Sequence, residues 1–262
     1  MDLGLKGKRA LVMSSSRGLG LGIAKVLAEE GADVLLSGRS EDRLAAEVAA
    51  INAKGQGRAH WVACDLARDD AAETLAQAVA EKLGAADILV ANTGGPPPGK
   101  MVDADPATLT GHFNQMVLRV IETTDKLLPA MRKAGWGRVL AIGSSGVIQP
   151  IPTLAVSNTI RSALVGWSKS LSNDLAAEGI TVNMLIPGRI HTERVDELDA
   201  AAAKRGGVSI DEARMASAST IPAGRYGTVE EFAKTAAFLV SAPASYITGS
   251  LVRCDGGSIR SV

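Results

Sequence analysis

Short aliphatic runs and longer helical patterns alternate along the chain. RALVM precedes a stretch at about 18–30 in which apolar residues return every three or four positions. DVLLS precedes another at about 42–54, HWVAC a third at about 70–83, and DILVA follows. Runs that are apolar on successive residues are buried on both faces, so the pattern predicts a parallel sheet covered by helices on both sides. After DILVAN comes TGGPPPGK, whose Pro96, Pro97 and Pro98 lack backbone donors and stiffen the turn. One long helix is predicted over about 106–134, and RVLAIGSS reads as the fifth strand. A second long helix opens at AVSNTIRSALVGWSKSL, and TVNMLIPG is a further strand. Between about 189 and 220 the pattern weakens into Ala-rich helix broken at KRGGVS, which predicts a mobile excursion over the end of the sheet. No tandem repeat or linker divides residues 1–262, so a single doubly wound α/β domain is expected.

Composition narrows the function. At 46% hydrophobic and 3% aromatic residues the chain builds one large aliphatic core. Its 28 basic and 28 acidic residues cancel, so no net field draws in nucleic acid or an anionic membrane surface, and a small-molecule protein is expected. Cys64 and Cys254 are too few for a disulfide framework and lack metal-site spacing; both read as buried small hydrophobes, and no metal is expected. With no signal-peptide pattern and no run of 18 uncharged apolar residues, a cytoplasmic location is expected.

In VMSSSRGLGLGIAKVLAEEGADVLLSGR a strand passes through a Ser/Gly turn into a helix and then a second strand. Such a turn lets phosphates approach backbone N–H groups at a helix N-terminus, where the dipole favours negative charge. Gly18, Gly20 and Gly22 do not spell G-x-G-x-x-G, and glycines alone also serve to pack a helix on a strand. The second strand strengthens the cofactor reading. An acid at its end would accept hydrogen bonds from a ribose 2′-hydroxyl, but the sequence there is Ser37, Gly38, Arg39. Arg39 suits a 2′-phosphate instead, and Arg17 in the turn adds a second cation, so NADP(H) is expected in preference to NAD(H). The competing reading makes Arg39 a solvated surface arginine.

These motifs resemble those of the short-chain dehydrogenase/reductase family, of the kind often labelled 3-oxoacyl carrier-protein reductase. The family's T-G-x-x-x-G-x-G turn is matched by Met13-Ser14-Ser15-Ser16-Arg17-Gly18-Leu19-Gly20, with Ser14 in place of its first glycine. The Asp beside the adenine matches Asp65, followed by Leu66, and N-N-A-G matches Ala91-Asn92-Thr93-Gly94. IPGRIHT supplies Pro187, Gly188, Ile190 and Thr192, which in the family close over the nicotinamide and pyrophosphate. IPAGRYGTVEEFAKTAAFLVSAPASYITGSLVRCDGG is similar almost word for word to the family's C-terminal stretch. The resemblance implies a Rossmann-type doubly wound parallel sheet of about seven strands, hydride exchange at a carbonyl or alcohol carbon, and a homotetramer or homodimer.

The family's tyrosine exchanges the proton on oxygen, a lysine lowers the tyrosine pKa and holds the ribose, a serine positions the oxygen, and an asparagine supports a water relay. Ser144 falls on the serine, but thirteen residues later the tyrosine position is Ser157 and, four further, the lysine position is Arg161. The asparagine position is Met116, with Asn114 two residues away. The only tyrosines, Tyr226 and Tyr246, lie in the C-terminal motif. An aliphatic hydroxyl is a far poorer acid than a phenol, and Arg161 stays charged, able to bond the ribose and supply positive charge. Losing a positioned acid costs about 10²- to 10⁴-fold. His191 is a candidate replacement acid unless it points to solvent. Arg189 reads either as an anion binder or as a surface arginine at the lid hinge, and Lys169, about 12 Å along the helix from Arg161, is too far to replace the lysine. Three readings stand: an NADP(H)-dependent oxidoreductase with an altered proton donor; a cofactor-binding protein without turnover, acting as sensor, partner subunit or scaffold; and non-redox chemistry in the same cleft.

Overall fold

The computed structural model describes residues 1–261. Seven parallel strands form one sheet: β1 (Arg9–Val12), β2 (Asp33–Gly38), β3 (Ala59–Ala63), β4 (Ile88–Ala91), β5 (Gly137–Ile142), β6 (Ile180–Pro187) and β7 (Leu251–Cys254). Their order is β3-β2-β1-β4-β5-β6-β7. Helices α1 (Gly18–Glu29), α2 (Glu41–Asn52) and α3 (Ala71–Leu83) connect the first four strands. Helices α4 (Pro106–Phe113) and α5 (Arg119–Ala134) precede β5, α6 (Ala155–Leu175) precedes β6, and α7 (Glu193–Gly206), α8 (Ile210–Ser219) and α9 (Val229–Leu239) precede β7.

Successive strand residues point to opposite faces, and both faces are covered. Leu11, Met13, Leu35 and Leu89 join Leu75 of α3, Val120 of α5 and Ile160 and Leu164 of α6 in one apolar layer. Ala10, Val12, Val34 and Leu36 join Ile23 and Leu27 of α1, Leu44 of α2 and Phe232 of α9 in the other. This is why RALVM and DVLLS are apolar without alternation. Truncating a residue such as Leu11, fully buried, to alanine would cost about 2–5 kcal/mol. The strand order reverses between β1 and β4, so the connections that leave their carboxyl ends diverge and open a crevice there.

Two regions depart from the simple pattern. The helix expected over 106–134 is interrupted at Asn114–Leu118 by a π-helical turn, where Arg119 N–H reaches back to Asn114 O. Met116 and Val117 of that turn are buried. The excursion at 189–220 is two helices: α7 starts at the N-cap Thr192, whose Oγ1 accepts from Val195 N–H, and ends at Gly207 in left-handed conformation (φ 65°). Ser209 and Glu212 then form a reciprocal capping box for α8. Among the described residues, no helix is long and apolar enough to cross a membrane.

Candidate active site

The crevice between β1 and β4 opens into a cleft of about 660 Å³. Its first half is built by the turn from β1 into α1. Ser14 adopts φ +47°, a left-handed value that suits glycine better than serine, and two contacts hold it: its N–H donates to Ser37 Oγ (3.2 Å), and its carbonyl accepts from Asn92 Nδ2 (3.0 Å). Ser15 Oγ donates to Val12 O (2.7 Å) and accepts from Ser37 N–H (3.0 Å), so this serine turn stitches the ends of β1, β2 and β4 together. A Cβ on Gly20 would fall 2.6 Å from Ser14 O and 2.8 Å from Asn92 Nδ2, so only glycine lets α1 start this close to the turn. The N-cap Arg17 makes no side-chain cap and no acid sits in the first turn, which leaves first-turn N–H groups of α1 directed at the cleft.

Arg17, Gly18, Leu19, Arg39, Asn92, Gly94, Pro187, Gly188, Ile190 and Thr192 all line this cleft. A Cβ on Gly188 would lie 2.6 Å from Asp255 Cα, so the Pro-Gly turn is pressed against the C-terminal segment. Ser14, Ser16 and Gly20 lie behind the lining and shape the turn instead; Ser16 stands against Gly38, where a Cβ would meet its Oγ at 3.0 Å. Asp65 lines a neighbouring recess of about 330 Å³ with Arg39, Cys64 and Arg68, and its Oδ1 accepts from Ala67 N–H (3.1 Å). Leu66, expected at the cofactor, is a core side chain, because the turn after β3 points it under the sheet among Leu75 and Leu89. Arg39 has no side-chain hydrogen bond or ion pair among the described residues and borders both spaces.

The second half contains Ser144, Ser157 and Arg161 in the same cleft. Ser144, after β5, accepts from Gly146 N–H with its Oγ (3.1 Å). Ser157 and Arg161 occupy successive turns of α6 and are each only 8% exposed. Arg161 Nη1 donates to Ile142 O (2.8 Å), and Nη2 donates to Gly94 O (3.0 Å) and Thr93 O (3.4 Å). The guanidinium therefore ties the loop after β4 to the end of β5. No carboxylate among the described residues pairs with it. Burial pulls its pKa down to about 10, which still leaves a fixed cation in the cleft floor at neutral pH.

The other candidates, Arg189 apart, lie outside the cleft lining. His191, expected as a replacement acid, does not line the cleft: its Nε2 lies 3.1 Å from Asp196 Oδ1, and more than half of the side chain is exposed. The strand-to-helix turn points Ile190 inward and its neighbour outward. Arg189 lines the cleft but is no plain surface residue, since Nε donates to Ser217 Oγ (2.9 Å) and Nη2 to the buried Asp199 (3.0 Å). Tyr226 also donates its hydroxyl to Asp199 (3.1 Å), while Tyr246 is fully exposed. Neither tyrosine lines the cleft. Met116 is a core residue, and both cysteines are free and half-buried, with burial raising the Cys64 thiol to about 11.

A family model described as "Enoyl-(Acyl carrier protein) reductase" matches residues 13–258. The chain is 32% identical to the 3-oxoacyl-[acyl-carrier-protein] reductase FabG of Haemophilus influenzae, over 97% of this chain and 98% of that protein. The chain belongs to the short-chain dehydrogenase/reductase family. It is also 32% identical to the uncharacterized oxidoreductase YvrD of Bacillus subtilis, over the full length of both. Among solved structures, L-sorbose reductase from Gluconobacter frateurii, complexed with NADPH and L-sorbose, superposes with a TM-score of 0.95 at 30% identity over all of both chains.

The protein is thus a member of a family of oxidoreductases, and its cleft joins a Ser/Gly turn at one end to Ser144, Ser157 and Arg161 at the other. The sequence did not reveal the acidic start of α7. Glu193 and Glu197 line the cleft, and Arg17 Nη1 lies 2.7 Å from Glu193 Oε2. Arg43 approaches the same carboxylate at 3.5 Å. The Arg17 hydrogen bond holds the Glu193 carboxyl below its ordinary range. Glu193 lies 176 residues from Arg17, and no local pattern signals the pairing.

Proposed function

We propose that the protein is an NADP(H)-dependent oxidoreductase acting on a small carbonyl or alcohol substrate with an altered proton donor. The observation that carries this reading is a single cleft with an acid-free helix N-terminus and the unpaired Arg39 at one end, and Ser144, Ser157 and Arg161 at the other. Open helical N–H groups suit the pyrophosphate, while Arg39, with no acid at the end of β2, suits the 2′-phosphate. Gly94 and Gly95 leave open space where side chains would intrude. NADPH, when bound, supplies the hydride. Ser144 and Ser157 hold the substrate oxygen through their hydroxyls, and the Arg161 charge stabilises negative charge developing there. The proton comes from water entering the cleft. Without a positioned phenol the step is slower by about 10²- to 10⁴-fold than with one. By family membership the working unit is a homodimer or homotetramer.

A second reading, cofactor binding without turnover, draws on the engagement of Arg161 with main-chain carbonyls and on the distance of both tyrosines from the cleft. Fluorescence titration with NADPH and NADH, followed by nicotinamide absorbance with a panel of β-keto esters and ketoses, decides between the two. NADPH-selective binding with slow turnover supports the first reading. Binding with no turnover supports the second, and binding of neither nucleotide overturns both.

A further inference from the structure

The first turn of α7 is fastened to both banks of the cleft. Arg194 Nη2 donates to Pro96 O (3.4 Å) on the bank after β4. On the other bank Glu193 meets Arg17 at 2.7 Å and Arg43 at 3.5 Å, with Glu197 3.8 Å from Arg17. Arg17 is the N-cap of the helix whose N-terminus faces the cleft, so a carboxylate from the lid occupies the arginine beside the anion seat. Arg39, in the same lining, has no such partner among the described residues.

We propose that Glu193 is a cofactor-selectivity residue: its carboxylate holds Arg17 until the cofactor's 2′-phosphate displaces it, so that seating NADPH and unfastening the first turn of α7 are one event. The inference rests on the NADP(H) reading above. A phosphate brought to Arg39 and Arg17 arrives beside the like charge of Glu193, and both cannot keep the same guanidinium edge. The phosphate wins, because it carries more charge and more acceptor oxygens than a carboxylate whose side chain is 57% exposed and whose pairing is screened by solvent. NADH brings no 2′-phosphate and leaves the pair in place. Glu193 thus weakens NADPH binding by the strength of the pair it must give up.

The test titrates the wild type, Glu193→Gln, Glu197→Gln, Arg17→Ala and the double variant Arg17→Ala/Glu193→Gln with NADPH and NADH. Hydrogen exchange of the α7 amides is followed alongside. Glu193→Gln is expected to bind NADPH about three- to fivefold more tightly with NADH changed less than about twofold, and the gain is expected to vanish on the Arg17→Ala background. NADPH is expected to speed exchange in the first turn of α7 in the wild type, and NADH not to. Unchanged or weaker NADPH binding by Glu193→Gln overturns the proposal, as does an equal gain in Glu197→Gln, which would be a general field effect. If no variant binds either nucleotide, the cofactor reading fails. The fastening alone is then judged by nucleotide-free exchange, which Glu193→Gln must accelerate in α7 for it to stand.

Discussion

The two halves of the cleft follow different rules. In the cofactor half several expected residues are positioned by backbone demands: Gly20 by a close approach to Ser14 O, Gly188 by its contact with Asp255, Asn92 by the carbonyl it steadies. Ser14 shows how such a half tolerates change, since the left-handed backbone persists with serine and is held by Ser37 and Asn92. In the reaction half, on the reading proposed above, the side chains that would move a proton have been exchanged. Arg161 on α6 bonds three main-chain carbonyls around the cleft floor. On that reading the scaffold keeps its binding geometry while its chemistry is rebuilt, because the first depends on main-chain fit and the second on a few functional groups.

The widest test of this contrast restores the missing groups. Ser157→Tyr with Arg161→Lys is expected to raise reduction of a generic β-keto ester by about 10²-fold or more, read as NADPH consumption. No gain would mean that the space above Ser144 has been reshaped too, and that the halves differ in more than their acid.

Next in size is the role of Arg161 in the fold. Arg161→Met removes the donors of Ile142 O, Thr93 O and Gly94 O, an expected loss of about 1–3 kcal/mol and a Tm lower by several degrees. Burial of an unpaired charge works in the opposite direction, as the lowered pKa of this group records. A Tm that rises in Arg161→Met would show that the cation is kept at a cost to stability and would place it wholly with the chemistry. In the cofactor half, Arg39→Ala is expected to weaken NADPH about tenfold and NADH far less. Equal loss for both nucleotides would move the 2′-phosphate away from Arg39.

The sheet was legible in the sequence because apolar runs record burial on both faces, and Leu11 and Val12 report that burial independently of their partners. The glycine turn was legible because backbone geometry restricts residue type at Gly18 and Gly20. Hydrogen-bond choice was not. The carbonyls of Ile142 on β5 and of Gly94 in the loop after β4 that Arg161 bonds leave no mark near it in the sequence, nor do Asp199 and Ser217, which Arg189 bonds. Leu66 follows a binding motif yet its side chain belongs to the core, and the π-turn at Asn114–Leu118 leaves no trace in a helical periodicity that continues on either side.

The smallest effect concerns the bridge between the halves, the first turn of α7. The pairing with Arg17 lowers the Glu193 pKa in the fastened state, so the unfastened state binds more protons as pH falls. The fastening is therefore complete above the usual glutamate value of about 4.3 and is lost as pH drops through the lowered one. Measured at each pH as the difference in α7 amide protection between wild type and Glu193→Gln, it should amount to no more than about fivefold near neutrality, since the pair is half-exposed. The difference should be flat from pH 7 to about 5 and close below about 4. Glu197 and the Asp196–His191 pair lie on the same helix start and supply the alternative. A difference that survives to pH 2 would remove Arg17 and Glu193 from the control of the lid.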